Sequence, residues 1–394
     1  MPKHVGTGFC SPEYVNFDGY EHEKVGMWNN YHFTSTANHW PVRTSAPENL
    51  VFDAFSPNMN KSLHIGHLRN LAIAASMQKI FDKCMFIAWL GGSLGYNQKA
   101  MDEFLDWCKL VGYNPKAIVD TTYAKDVVLN ANLVDGTDEQ AGCKVWKGPK
   151  GTVITHRTDG RPTYSYYDLL LMESKFAPDF YITGSEQREH FIELGAKDKH
   201  LPIGLVLDPI TGKKMKSRDG SAFSAEDAIN EIKHNIKEND NWNRDSSDSS
   251  KLAWNILAWD FLHVSRKNNV KFDPKEWCKT ESPGMHISYT YARMNKAFNN
   301  ECVISPRPVD LNNEDIKIIG LSEYIHHYYG LAVKNKEPSH IATYAFELSQ
   351  TISASYHKEK IRGGRTGFRY AMFKALKSLE QCMKYLSMYQ LERI

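Results

Sequence analysis

Two histidines three residues apart, His64 and His67, lie in the run SPNMNKSLHIGHLR, directly after a strand-like stretch and at the start of a segment with helical spacing. At such a junction the free backbone N–H groups and the positive end of the helix dipole form an anion site. Imidazoles placed there can donate hydrogen bonds to phosphate oxygens. Gly66, between them, has no side chain, so a flat base can approach the backbone closely. About 150 residues further on, TGKKMKSRDG (211–220) is a glycine-bounded basic loop that follows another strand-like run. Either segment alone reads more readily as an ordinary surface or core run. Together they point to chemistry on a nucleotide phosphate. The seven cysteines, Cys10, Cys84, Cys108, Cys143, Cys278, Cys302 and Cys382, are scattered without a CxxC pair, and no His/Cys cluster has zinc-ligand spacing. Structural zinc and a disulfide framework are not expected, and no activated Ser or Cys constellation suggests a covalent intermediate.

The elements that must hold these residues follow from the hydrophobic pattern. VFDAF from Val51 suits a strand, Ser-Pro-Asn a turn, and from His64 a helix places Leu68, Leu71, Ala72 and Ala75 on one face. A second strand over 84–90 makes a βαβ unit with parallel strands and a right-handed crossover. Runs at 153–156, 180–183 and 203–207 are further strand candidates with helical stretches between them. The segment 234–250, rich in Asn, Asp and Ser, reads as a polar hinge. Beyond it, 251–265, 287–299, 339–356 and 366–389 carry apolar residues at three and four spacing, as in a helix bundle. The expected layout is an irregular N-terminal extension (1–48), an α/β Rossmann-like parallel-sheet catalytic domain (49–233), the hinge (234–250) and an all-α helical-bundle domain (251–394).

At 394 residues the chain is long enough for two to three domains. With 48 basic and 46 acidic residues the net charge is +2, which excludes a histone-like or strongly acidic chain, so any nucleic-acid face must be local. One such face is visible: from 340 to 394 nine Lys and Arg stand against four Glu. A hydrophobic content of 42% argues for a folded chain. The longest apolar stretch, 84–96, falls well short of the roughly 20 residues of a membrane span, and the N-terminus has no signal-peptide core. A cytoplasmic protein without a membrane partner is expected.

The HIGH box near the first strand and the KMSKS-like loop after a late one resemble the class I aminoacyl-tRNA synthetases. Smaller nucleotidyltransferases share the HIGH chemistry but are generally single-domain, whereas this chain carries about 140 further helical residues. The finer resemblance is to arginyl-tRNA synthetase. Asp53, Ser56, Pro57, Asn58, Lys61 and His64 stand at the spacing of that family's acidic strand end, Ser-Pro-Asn turn, lysine and HIGH box. DGRPTYSYYD (159–168) is similar to its SDGTPTYxxxD segment, YITGSEQREHF (181–191) to its GAEQxxHF segment, MKSRDG to its MSTRKG loop, and YAR at Tyr291 and Arg293 to its YAHAR. The resemblance covers roughly residues 50 to 394.

It implies an arginine–tRNA ligase that uses ATP and Mg²⁺, binds L-arginine and tRNA(Arg) and acts as a monomer. ATP would be held by Ser56, His64, Gly66, His67 and Met215, with His64, His67, Lys61, Lys216 and Arg218 as catalytic groups and Lys214 as a weaker candidate. A guanidinium is a permanent planar cation whose burial demands carboxylates. Asp53 and Asp168 would supply them, with Tyr164 four residues before Asp168 on the same helical face. Asn58 and Gln187 suit the α-amino and carboxylate end. The helical domain would contact tRNA through Arg362, Arg365 and Arg369, with aromatics such as Tyr356 and Phe368 stacking on bases. Three departures stand out: Asp53 where the family has Glu, Ser217 where the loop lysine is usual, with Lys61 as its replacement, and no match in residues 1–48 to the family's N-terminal domain. Two alternatives stay open, a paralogue that activates arginine for an acceptor other than tRNA and a non-catalytic tRNA-binding paralogue.

Overall fold

The computed structural model of the chain describes residues 4–5, 8–11, 20–25, 28–33, 45–91, 97–120, 138–215, 223–238, 249–299 and 310–392. The chain divides into two compact units, one of residues 47–231 with 264–273, the other of 1–46, 232–263 and 274–394.

Near the N-terminus β1 (His4–Val5), β2 (Gly8–Ser11), β3 (Tyr20–Val25) and β4 (Trp28–Phe33) form an antiparallel sheet in the order β1-β2-β4-β3. This corrects the expectation of an irregular extension over 1–48. Val25 pairs with Trp28, so β3 and β4 are separated by two residues, one of them Gly26, which is a hairpin spacing. Asn, His and Glu interrupt the aromatic positions and hide the period.

The first unit is built on a five-stranded parallel sheet. It begins with β5 (Val51–Ala54), α1 (Ile65–Ile80), β6 (Met85–Leu90), α2 (Gln98–Val111) and β7 (Ala117–Asp120). A separate antiparallel sheet of β8 (Asp138–Gln140), β9 (Cys143–Gly148) and β10 (Gly151–His156) follows. The run at 153–156 is therefore a strand, but it belongs to this small sheet and not to the parallel one. The main sheet resumes with α3 (Tyr164–Met172), β11 (Phe180–Gly184), α4 (Arg188–Glu193) and β12 (His200–Ile203), giving the order β12-β11-β5-β6-β7. Helix α1 is buried nearly all round, which is why its apolar residues exceed the single face read from the sequence.

The expected strand at 203–207 is broken. At Gly204 the chain passes so close to Asn268 that a Cβ would lie 2.2 Å from its carbonyl oxygen. β12 ends there, and β13 (Val206–Leu207) pairs instead with β14 (Val270–Lys271). The fully buried Arg69 of α1 ties this break together, donating to the carbonyls of Gly204 (2.8 Å) and Leu205 (3.3 Å) and lying 3.5 Å from that of Arg266. Residues 264–273 thus complete the sheet-bearing unit, a return that the sequence reading assigned to the helical domain.

The division between the units falls inside α5 (Ala225–Lys237). Most of the expected hinge, 239–248, lies outside the described residues. The second unit contains α6 (Ser249–Leu262), α7 (Pro274–Trp277), α8 (Pro283–Asn299), α9 (Asn313–Glu323), α10 (Ile325–Asn335), α11 (Ser339–Lys358) and α12 (Thr366–Tyr385). Helix α6 is its centre: residues 252–262 are all buried, Trp254 Nε1 donates to the Ser387 carbonyl (2.9 Å) and Trp259 Nε1 to that of Ala342 (3.0 Å). Indole rings placed so fill the core and satisfy their one donor.

One expected tRNA contact is a structural residue here. Arg365 donates to both carboxylate oxygens of the buried Asp315 (2.8 and 3.2 Å), to Glu359 (3.0 Å) and to the Asp310 carbonyl (3.1 Å). Its fork is spent on joining the start of α12 to α9, which corrects its assignment to phosphate binding. Arg362 is exposed and Arg369 half-buried.

Candidate active site

Strand order reverses between β5 and β11, because β6 and β7 extend the sheet to one side and β12 to the other. Ligands of open parallel sheets bind in the crevice beyond the carboxyl ends at such a point. A cavity of about 530 Å³ lies there, lined by Asp53, Ser56, Asn58, Lys61, His64, Gly66, His67, Tyr164, Asp168, Gln187 and Met215. All the described candidates of the sheet-bearing unit therefore meet in one cavity. Lys216 and Arg218 lie outside the described residues.

The two histidines form the start of α1. His64 is its N-cap; its Nδ1 accepts the Gly66 N–H (3.1 Å), while His67 Nδ1 accepts the His64 N–H (3.1 Å), a capping box made of imidazoles. The rings stack with centroids 3.8 Å apart. Burial, with Lys214 and Lys61 nearby, lowers His64 to about 4; burial, His64 and the same lysines lower His67 to about 3. Both rings are thus neutral near pH 7. With Nδ1 an acceptor in each, the proton sits on Nε2, which is left as a donor. A Cβ on Gly66 would press on the His64 ring at 3.0 Å, so glycine here also protects the cap.

Two supports fix this end of the cavity. Glu103 of α2 accepts from Ser62 Oγ (3.1 Å) and the Leu63 N–H (3.2 Å), holding the loop that carries Lys61. On the other side, Met215 N–H donates to the Val206 carbonyl (3.0 Å), while Ile65 N–H donates to Phe223 (2.9 Å) and Ala225 N–H to Leu63 (3.0 Å). The basic loop is thereby anchored on both flanks, one of them directly at the HIGH segment. The sequence reading brought the two motifs together but had no signal for Glu103, which sits in an ordinary amphipathic helix.

The other half of the cavity carries the carboxylates. Phe55 turns the chain at the end of β5 with φ of 54°, a left-handed conformation that bulky residues rarely adopt. It is fully buried and stacks on Phe104 at 5.2 Å, which holds it there. The turn returns Ser56 to Asp53: its Oγ donates to the carboxylate and accepts the Trp89 N–H (2.8 Å). Burial raises Asp53 to about 7, against the Ser56 bond that favours its charge and with Asp168 adding to the rise. Across the cavity Asn58 Nδ2 lies 2.6 Å from Tyr164 Oη, and the buried Oδ1 of this cavity-lining residue has no protein partner.

Tyr164 and Asp168 do share α3, one turn apart. Asp168 Oδ2 lies 2.6 Å from His190 Nε2 of α4. The sequence reading passed over this histidine, although it lies three residues after Gln187 in the same quoted segment. Burial works against its charge, but the bond to Asp168 and that carboxylate's field hold it above its ordinary value. Gln187 is exposed in the short turn before α4.

Comparison with known proteins agrees with the fold. The family model of the DALR anticodon binding domain matches residues 287–394. The arginine–tRNA ligase of Lactobacillus acidophilus is 26% identical over 56% of this chain and 44% of its own length; that of Streptococcus pneumoniae is 28% identical over 84% and 78%. The chain thus spans about half the length of several curated relatives that it matches. Among solved structures, the arginyl-tRNA synthetase of Thermus thermophilus superposes with a TM-score of 0.69 over 96% of this chain and 89% of that one at 14% identity. That of Plasmodium falciparum gives 0.72 over 96% and 87%, also at 14%. With its parallel-sheet unit and a helical region that matches the DALR anticodon binding domain, the chain resembles the class I arginyl-tRNA synthetases in sequence and fold.

Proposed function

We propose that the protein is an arginine–tRNA ligase that activates L-arginine with ATP and transfers it to tRNA(Arg). The observation that carries this reading is the joining, in one cavity, of a donor-lined helix start to two carboxylates. In the first step the arginine carboxylate attacks the α-phosphate of ATP, a phosphorus–oxygen bond breaks and pyrophosphate leaves. The Nε2–H groups of His64 and His67 donate to phosphate oxygens as charge develops on them, and Lys61, Lys214, Lys216 and Arg218 balance the pyrophosphate. Ser56, Gly66 and Met215 border the nucleotide. Asp53, Asp168 and Tyr164 receive the guanidinium, with Asn58 Oδ1 and Gln187 on the amino-acid end. In the second step the 2′-hydroxyl of the terminal adenosine attacks the mixed anhydride and AMP leaves.

Among the described residues no three His, Cys, Asp or Glu side chains could hold a metal ion together, so Mg²⁺ would arrive on the nucleotide phosphates. Arg362 and Arg369 are the remaining basic candidates of the helical unit for the tRNA backbone. No helix among the described residues is long and apolar enough to cross a membrane, and we assign the protein to the cytoplasm, where aminoacylated tRNA is consumed.

The test is arginine-dependent ATP–pyrophosphate exchange, run with and without tRNA, beside tRNA charging. Exchange and charging together support the ligase. Exchange without charging would favour activation for another acceptor, and neither reaction would leave a binding protein.

A further inference from the structure

We infer that His190 is a positioning residue for the guanidinium: it serves as the counter-cation of Asp168 in the empty site and gives up its extra proton when the substrate cation takes that place. The inference rests on the assignment of the cavity to arginine.

The geometry is that of a short, shielded pair. Nε2 of His190 and Oδ2 of Asp168 are 2.6 Å apart, and each side chain is 23% exposed. Both residues line the cavity. The pair is locked from two helices, with α3 supplying Asp168 one turn after Tyr164 and α4 supplying His190 next to Phe191, which is buried against Tyr181 at 4.8 Å. Because the bond occupies Oδ2, the carboxylate cannot rotate freely, and Oδ1 is the oxygen presented to a ligand. An unliganded Asp168 beside Asp53 would repel it, and a protonated imidazole relieves that repulsion.

A guanidinium cannot lose its proton in the protein, so when it enters, the imidazole is the cation that must yield. The balance is simple. Nε2–H stays in its bond to Oδ2, the proton on Nδ1 goes to solvent, and one positive charge replaces another beside Asp168. Arginine binding should then release a proton and tighten as pH rises through the His190 titration.

The charges that act on His190 are Asp168 and, on its own helix, Glu193. The other titratable groups on elements packed against α4 are Glu186 in the preceding turn, His156 on β10, His200 on β12, and Lys197, Asp198 and Lys199 in the turn that follows. His200 is kept below its ordinary value by burial and bonds to Thr183 Oγ1 at 3.0 Å, so it does not take this role. Asp53 is the rival source, since a cation beside it would also draw off its proton.

The experiment is calorimetric titration of the full chain with arginine near pH 7, in buffers of different ionisation enthalpy, for the native protein, His190→Gln and Asp53→Asn. The glutamine keeps a donor toward Asp168 but cannot titrate. The native protein should release a proton that His190→Gln does not, Asp53→Asn should retain that release, and the arginine Kd of the native protein should weaken up to about tenfold per pH unit below the His190 pKa. A release that is the same in His190→Gln belongs to Asp53 and overturns the inference, as does arginine binding with no proton released by the native protein. Failure of arginine to bind the native protein at all would refute the arginine reading itself, and this inference with it.

Discussion

Asp53→Asn should make the empty protein more stable at neutral and alkaline pH. Asp53 is 5% exposed, and burial holds it at about 7 against an ordinary value of 3.8. A difference of about 3 pH units corresponds to about 4 kcal/mol. The folded state binds this proton more tightly than the unfolded chain, so the contribution is complete below about pH 3.8, declines as pH rises and is gone above about pH 7. Asparagine is isosteric with the protonated acid and can still accept the Ser56 hydrogen bond, but it has no charge to form. The gap between variant and native protein should therefore widen from about 1–2 kcal/mol at about pH 5 to about 4 kcal/mol at about pH 8, on the order of 10 °C in Tm for a unit of this size. Thermal melts of both proteins across that range, with and without arginine, measure it. Arginine should stabilise the native protein and, at saturating concentration, the variant as well, to a smaller extent. A gap that does not change with pH, or a variant less stable at about pH 8, would refute the placement of an uncompensated carboxyl in the cavity floor.

His64→Ala or His67→Ala should slow arginine activation by about 10²-fold, the scale of losing one donor to a developing charge, in pyrophosphate exchange. Because both rings are already neutral, with values near 4 and 3, the native rate should show no loss from their titration between about pH 8 and about pH 5; a fall tracking a group near 6.5 that vanishes in these variants would contradict the capping tautomers. Asp168→Asn should raise the arginine KM by one to three orders of magnitude, roughly 2–4 kcal/mol for a guanidinium short of a partner; equal competition by citrulline would speak against the carboxylates as its ligands. Arg365→Ala should leave the buried Asp315 unpaired and destabilise the helical unit by about 2–4 kcal/mol, whereas the exposed Arg362, changed to Ala, should cost the melt far less and weaken tRNA binding in a salt-dependent way. Equal melts for both arginine variants would remove Arg365 from the frame of the unit.

The site was more legible than the elements around it. The strand, turn and helix that carry Asp53, Asn58 and His64 are contiguous in sequence, so their chemistry and their period are read in the same few residues. Asp168 and Tyr164 were legible for the same reason, as i and i+4 positions of one helix. His190 was not, because its meaning depends on a partner 22 positions away on another helix. Arg365 was misread in the opposite sense: a basic residue in a basic stretch gives no sign that a buried carboxylate 50 positions earlier has claimed it. The break at Gly204 was hidden because an apolar run reads as one strand whether or not a backbone crosses its middle.

The short return of residues 264–273 bears on how this chain can be made. β13 has no partner strand until β14 exists, and Arg69 in α1 reaches the Arg266 carbonyl at 3.5 Å. A ribosome that has finished residue 231 has supplied most of the sheet-bearing unit but not its closing piece. At about 5–20 residues per second, the remaining stretch to residue 273 adds roughly 2–8 s during which α1 carries a buried arginine without its full set of acceptors. For the same reason a fragment ending before residue 264 would lack a wall of its own fold, and any split of this chain for expression or complementation belongs after residue 273 rather than at the polar stretch before α6.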